Sequence, residues 1–460
     1  MPDKLSTPAV PSPLRKVLLV MTGMVLGSAA QAESLQALYQ AARGYDAAYL
    51  AAVNAAEAVQ HKVDSQTGAL RYPSVALTGY ARRWHLDSSL DTGVPGVSYD
   101  TSATNKQLAL GARYALFNRT NDANISQLEQ SLIVADADLQ SAEQDLIVRV
   151  TQAYFDVLSA QDVLTTAKAN MKALSEQLAL AKRNFEVGNA TITDTREAQA
   201  RYDLANAQVI AASNDLKVKG LALDQLVGRN QVQPDPLHTP VSLPALTPAD
   251  PEAWVNTAAA SPAVRKAKVA LDVARLETSK SKAGHLPTVD LTAQVARLAI
   301  DGPVSVQANN GVGTTSAIGV ELNMPLFSGF SVQNKIKQSL SEESKAENDL
   351  ANAQRSVALG VRQAYFGVQS GLAQVNAYEA AESSAKLALE ATQTGYKVGV
   401  RINKDVLDAQ TSLSNTQKDL YKARYDVLVA GVKLRQATGT LKPEDLQDLN
   451  RLLASPAEAP

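Results

Sequence analysis

The sequence predicts an α+β protein that crosses a membrane on strands. It is built as a tandem repeat, each copy setting two strands between long helices. Three observations predict this. The two halves of the chain match at a nearly fixed offset. Two pairs of stretches alternate apolar and polar residues over about the 9–11 residues that a tilted strand needs to cross a bilayer. Two proline-free, alanine-rich runs are long enough for helices of about 100 Å.

The chain has 460 residues, a formal net charge of −2, no Cys and four His. Near-neutral charge argues against a nucleic-acid binder, which would normally carry a basic patch. Arg15 and Lys16 precede an apolar run over 17–26, and Ala30-Gln31-Ala32 follows as a small-residue cleavage site. Residues 1–32 therefore read as a secretory signal peptide, with a mature chain from Glu33. No later run approaches the roughly 20 apolar residues of a membrane helix, so any crossing must use strands. The lack of Cys removes disulfides and an N-terminal lipid anchor from the expectations.

The duplication is explicit. "QAYFDVLS" from Gln152 returns as "QAYFGVQS" from Gln363, and "RYPSVALT" from Arg71 answers "HLPTVDLT" from His285. "LFNRTN" from Leu116 matches "LFSGFS" from Leu326. Gly188 matches Gly399, Asp194 matches Asp405, and Gly228 matches Gly439. Proline, glycine and Tyr-Phe at a nearly fixed offset are not what chance similarity of alanine-rich helices produces.

Each copy opens with a short helix (34–43 and 251–260) and a longer one, from near Asp46 and from Ser261-Pro262, an N-cap with proline at the first helical position. Pro73 and Pro287 end those helices. Strands are expected at about 74–86, 105–117, 288–300 and 316–327, where apolar and polar residues alternate. The segments between them, 87–104 and 301–315, are rich in Gly, Ser, Asp and Asn and read as loops. Long helices follow at about 118–186 and 328–397. Tyr365, Val368, Leu372 and Val375 give heptad-like spacing, which suggests coiled-coil packing. Gly188 and Gly399 break these helices as hairpin turns, and second helices run over about 194–227 and 404–438. The domain map is thus a first repeat over 33–230, a Pro/Leu-rich linker over 231–250, a second repeat over 251–440, and a C-terminal segment with a disordered tail over 441–460.

Four strands cannot close a barrel, and an open edge cannot rest in lipid. A homo-oligomer is required if the strands span, and three chains would supply twelve.

Each hairpin turn is followed by paired acids, Asp194 with Glu197 and Asp405 with Asp408. Spacing alone favours stabilisation of a helix N-terminus by about 0.3–1 kcal/mol, and Asp194 with Glu197 resembles a capping box. Residues i and i+3 also share a helix face, so a symmetric oligomer could turn Asp405 and Asp408 into stacked carboxylate rings able to bind cations. His61, His85, His238 and His285 are scattered, and no phosphate loop or serine-nucleophile motif is present, which argues against an enzyme. A periplasmic coiled-coil adaptor would explain the signal peptide and helices but not four amphipathic strands.

The chain resembles the TolC family of trimeric outer-membrane exit ducts over about residues 34–445. The duplicated unit, "PLFSGF" after a strand, "QAYF" in both long helices and "GYKVGVRINKDVLDA" carry the resemblance. It implies a homotrimer in the outer membrane of a Gram-negative bacterium, with a twelve-stranded barrel, a helical coiled-coil barrel through the periplasm and a mixed equatorial belt. It implies no cofactor and no dedicated metal, beyond cation block at Asp405 and Asp408. The implied partners are a periplasmic membrane-fusion adaptor, an inner-membrane ABC transporter or proton-driven pump, and outer-membrane lipids, with no nucleic acid. ABC-driven type I protein secretion is the first expectation, because the missing lipid-anchor Cys sets the chain apart from the drug-efflux branch; drug efflux is the second. The resemblance further implies an acidic ring of Asp405 and Asp408 and a latch of Tyr396, Arg401 and Arg424 with Thr193 and Asp194. Lys404 adjoins Asp405 and would weaken the ring if it faced the lumen. Successive helix residues point about 100° apart, so it is expected on another face.

Overall fold

A computed structural model describes residues 33–89, 98–238, 241, 243–302 and 311–453. The expected signal peptide and C-terminal tail (454–460) lie outside the described residues. The first repeat contains α1 (Leu35–Tyr45), α2 (Ala47–Arg71), β1 (Ser74–Ser89), β2 (Ser98–Phe117), α3 (Arg119–Glu186) and α4 (Ile192–Val227). The second contains α5 (Pro251–Ala258), α6 (Pro262–Ala283), β3 (Thr288–Asp301), β4 (Gly311–Asn323), α7 (Ser331–Lys397) and α8 (Asn403–Thr438), and α9 (Asp445–Asn450) follows.

Two strand expectations are corrected. β2 begins at Ser98, not 105, because the polar stretch before Thr104 finds a partner: Ser98 to Thr104 lie opposite Ser89 to Arg83. β4 begins at Gly311 and ends at Asn323; Met324-Pro325 follows, and proline has no N–H to give a ladder.

The four strands form one antiparallel sheet in the order β1-β2-β3-β4. The β2–β3 ladder joins the repeats. The edges of β1 and β4 face no described strand. Directly opposed residues share a face, so the register sorts the side chains. Val75, Leu77, Leu108, Leu110, Leu291, Val295, Ile318 and Val320 fall on one face. Thr78, Tyr80, Gln107, Arg113, Asp290, Thr292 and Glu321 fall on the other. Large side chains on the apolar face stand open; Ile318 is 78% exposed. On the polar face Arg113 Nη2 donates to Asp290 Oδ2 at 2.7 Å across the β2–β3 seam. Among the described residues no helix is long and apolar enough to cross a membrane.

The largest core lies where α1, α9 and the linker wrap the middle of α3 and α8. The "QAYF" motif explains its position. Tyr154 Oη donates to the carbonyls of Glu33 (3.3 Å) and Asp235 (3.0 Å). Its duplicate Tyr365 donates to the carbonyl of Ala249. Each tyrosine thus pins linker-region backbone to a long helix, with ring burial supplying the packing. Tyr365, Val368 and Val375 are buried and Leu372 half-buried, all in one cluster with α8.

Asp46 ties three helices together. Its backbone N–H donates to the carbonyl of Ala42 at the end of α1, and Oδ1 accepts from Tyr49 N at 2.8 Å as the N-cap of α2. Arg149 on α3 grips both carboxylate oxygens at 2.8 Å. The arginine hydrogen bonds hold the Asp46 carboxyl below its usual range despite partial burial. Asp46→Ala is expected to cost about 2 kcal/mol, roughly one for the cap and the rest for the half-exposed ion pair. A lowered carboxyl stabilises above the unfolded value of about 3.9 and stops doing so as pH falls through the folded value. Urea unfolding should therefore separate variant and wild type at pH 7 and draw them together as pH falls well below the ordinary carboxylate value.

Candidate functional site

The site lies at the two hairpin turns. α3 ends at Glu186 with Val187 as its C-cap, and Gly188 takes φ +79°; α7 ends at Lys397 with Val398 as its C-cap, and Gly399 takes φ +81°. Both turns need the left-handed region that glycine enters without a Cβ penalty. A Cβ would meet nothing within 4 Å at either position, so the requirement is conformational and not steric.

The two copies then diverge at the helix cap. In the first, Thr191 caps α4: Asp194 N donates to Thr191 Oγ1 at 3.1 Å, and Thr191 N donates to Asp194 Oδ2 at 2.9 Å. The capping box is therefore Thr191 with Asp194, not Asp194 with Glu197. In the second copy Ile402 occupies the cap position and offers no side-chain cap. Asp405 is thus released from the duty that holds Asp194. Its nearest ionic partner is Arg401, at 3.6 Å.

The duplicated acids Glu197 and Asp408 converge on one arginine. Arg201 on α4 donates to Asp408 Oδ1 at 2.6 Å and lies 3.9 Å from Glu197. Lys404 Nζ donates to the other oxygen of Asp408. Lys404 makes no ion pair with its neighbour Asp405; one helical turn separates it from Asp408, and the i,i+4 spacing brings that pair together. The Lys404 hydrogen bond, seconded by Arg201, holds the Asp408 carboxyl below its ordinary range. Three cations (Arg201, Arg401, Lys404) thus stand among three carboxylates (Glu197, Asp405, Asp408).

The implied latch does not assemble within one chain. Tyr396 Oη accepts from Asn184 Nδ2 at 3.1 Å, not from Thr193 or Asp194. Arg424 Nη2 donates to Glu379 Oε1 at 2.8 Å, joining α8 to α7. It lies about 24 Å along α8 from Asp408, away from the turns. Nearby, Tyr425 Oη donates to Asp162 Oδ2 at 2.6 Å, and burial raises the Asp162 carboxyl. Arg201 and Asn184 were not singled out from the sequence. The signal for Arg201 was the i,i+4 spacing from Glu197.

The family model for outer membrane efflux proteins matches residues 38–229 and 254–440, one span for each repeat. Outer membrane protein TolC of Vibrio cholerae is 32% identical over 95% of this chain and 98% of its own length. Alkaline protease secretion protein AprF of Pseudomonas aeruginosa is 35% identical over 68% of this chain and 66% of its own. The crystal structure of the outer membrane protein VceC from Vibrio cholerae has the same fold, with a TM-score of 0.72 at 19% identity over 88% of this chain and 96% of that one. The chain belongs to the outer membrane efflux protein family: it is an outer-membrane channel of the efflux and secretion class, and not an enzyme.

Proposed function

We propose that three copies of this chain close one twelve-stranded barrel and form the exit duct of a tripartite export machine. The observation that carries this reading is the sheet: four strands with one apolar face, one polar face and two edges that meet no described strand. Hydrocarbon tolerates the first face and forbids the edges, and three copies satisfy both demands. The apolar face meets lipid and the polar face lines the lumen. α3 and α7, each about 100 Å long, continue the duct through the periplasm to a membrane-fusion adaptor and an inner-membrane transporter, which supplies the energy.

The mouth of the duct is the pair of hairpin turns. Asp405 forms the inner acidic ring, and Asp408 a second ring held by Arg201 and Lys404. Tyr396 and Arg401 meet Thr193 and Asp194 of a neighbouring copy in the closed state. Arg424 braces the second hairpin with Glu379 instead of latching the mouth. Docking of the adaptor opens the mouth by separating these links, each of modest strength where exposed.

The cargo is a protein delivered by an ABC transporter in type I secretion. Relatives named for protease secretion support this: AprF, and PrtF of Dickeya chrysanthemi, 29% identical over 95% of this chain. Drug efflux is the second reading, favoured by the efflux protein BepC of Brucella suis, 28% identical over 81% of this chain.

Planar-bilayer conductance tests the duct and its mouth together. Wild type is expected to conduct and to be blocked by a trivalent cation added on the helical side. Asp405→Ala/Asp408→Ala should conduct but resist block. Equal block in the variant would return the acids to helix-end stabilisers, and a folded preparation with no conductance would remove the duct.

A further inference from the structure

The apolar face of the sheet carries three cations in one diagonal. Arg297 on β3 lies opposite Leu108; Lys106, two residues along β2, lies opposite Ala81; Arg83 stands two residues further along β1. All three share the face of Leu77, Leu110 and Val295, and all three are exposed. Diagonal neighbours on a sheet are about 7–8 Å apart, so the row spans about 15 Å. No ion pair joins any of them to another described residue. Asp301 stands on the same face one row beyond Lys106 and pairs with none of the three.

Their height is as telling as their sign. Along β3 the outward positions run Val289, Leu291, Ala293, Val295 and then Arg297. From Val289 to Arg297 the strand climbs about 20 Å at a barrel tilt. The apolar band of an outer-membrane barrel is about 25 Å tall. The cations therefore begin where hydrocarbon ends, at the hairpin end of the sheet, opposite to the helices. Exposed Tyr72, Phe117 and Phe327 mark the other border. A cation on the lipid face is costly in hydrocarbon and cheap where an anionic headgroup meets it.

We propose that Arg83, Lys106 and Arg297 form a binding site on the outer surface of the barrel for a bis-phosphorylated glycolipid of the outer leaflet. The inference rests on the proposed orientation of the sheet in the membrane. Charge complementarity selects an anionic lipid. The span selects a headgroup with two separated phosphates, because one phosphate cannot reach both ends of the diagonal. Guanidinium groups take phosphate oxygens in pairs, and Lys106 adds a point charge between them. A closed trimer would carry three such sites.

Native mass spectrometry of the full-length protein in detergent tests this, with lipid A, dephosphorylated lipid A and phosphatidylglycerol as probes. Wild type is expected to retain lipid A in preference to the other two. Arg83→Gln/Lys106→Gln/Arg297→Gln should bind it about 100-fold more weakly, at the usual worth of each basic residue at a membrane surface. Arg83→Lys/Arg297→Lys should keep most of the affinity, which separates loss of charge from misfolding. Equal binding by wild type and the Gln variant overturns the site, and so does equal retention of phosphatidylglycerol. Conductance distinguishes the two readings: a conducting protein without phosphate-dependent binding overturns this inference alone, whereas a folded non-conducting protein removes the orientation on which it rests.

Discussion

Phe155→Ala is expected to destabilise the protein by about 3–5 kcal/mol, the usual cost of emptying a fully buried aromatic site. Phe155 is 1% exposed. Its ring meets Tyr154 edge-on at 5.5 Å and Tyr425 at 5.7 Å. Tyr425 belongs to α8, so the truncation opens a gap between the first repeat and the second. The duplicate supplies the control. Phe366 occupies the same place in the motif and makes the same edge contact with its neighbour Tyr365, yet it is 54% exposed. Phe366→Ala should cost well under half as much in the single chain. Urea unfolding followed by far-ultraviolet circular dichroism measures both. Equal losses would mean that the core is not concentrated in the first repeat.

Freeing Asp408 from its two cations should sharpen cation binding at the mouth. In Arg201→Gln/Lys404→Gln the carboxylate keeps its place but loses both partners. A unit charge at 4 Å in water is worth about 1 kcal/mol, so two losses should tighten trivalent-cation block about ten-fold or more at low salt. The gain should shrink at high ionic strength, since these groups are exposed. The sign of the pH effect follows from the lowered Asp408 carboxyl. Its pairing persists above the ordinary carboxylate value near 3.9 and fails as pH falls through the lower, paired value. In the variant the carboxyl returns toward the ordinary value, so block should weaken at a higher pH than it does when Asp408 is held by Lys404. Block affinity that does not change between the two proteins would place Asp408 outside the conducting path.

The repeat and its long helices were legible because duplication preserves the residues that punctuate structure. Pro73 and Pro287 stop helices, Gly188 and Gly399 turn them, and the tyrosines of "QAYF" recur because each pins the chain at the same level. The start of β2 was not legible. Ser98 to Thr104 have loop composition and become strand only because β1 supplies partners for their backbone groups, a fact of pairing that local sequence does not carry. The acid pairs were legible as acids but not in their roles. Thr191 against Ile402 decides which copy is spent on a cap. Arg201 acts across two hairpins, and only the assembled chain brings it to Asp408.

In the proposed barrel, the edges of β1 and β4, which meet no described strand, make membrane entry a collective event. A lone sheet in hydrocarbon would strand a row of N–H and C=O groups on each side, so no bilayer-resident monomer is available as an intermediate. Insertion and association must share one barrier, and the yield of ducts should climb steeply with the supply of chains. The same logic makes a defective subunit poisonous. In the proposed trimer, a copy that pairs through its edges but cannot open its mouth would disable every ring it joins, and intact rings would survive as the cube of the wild-type share.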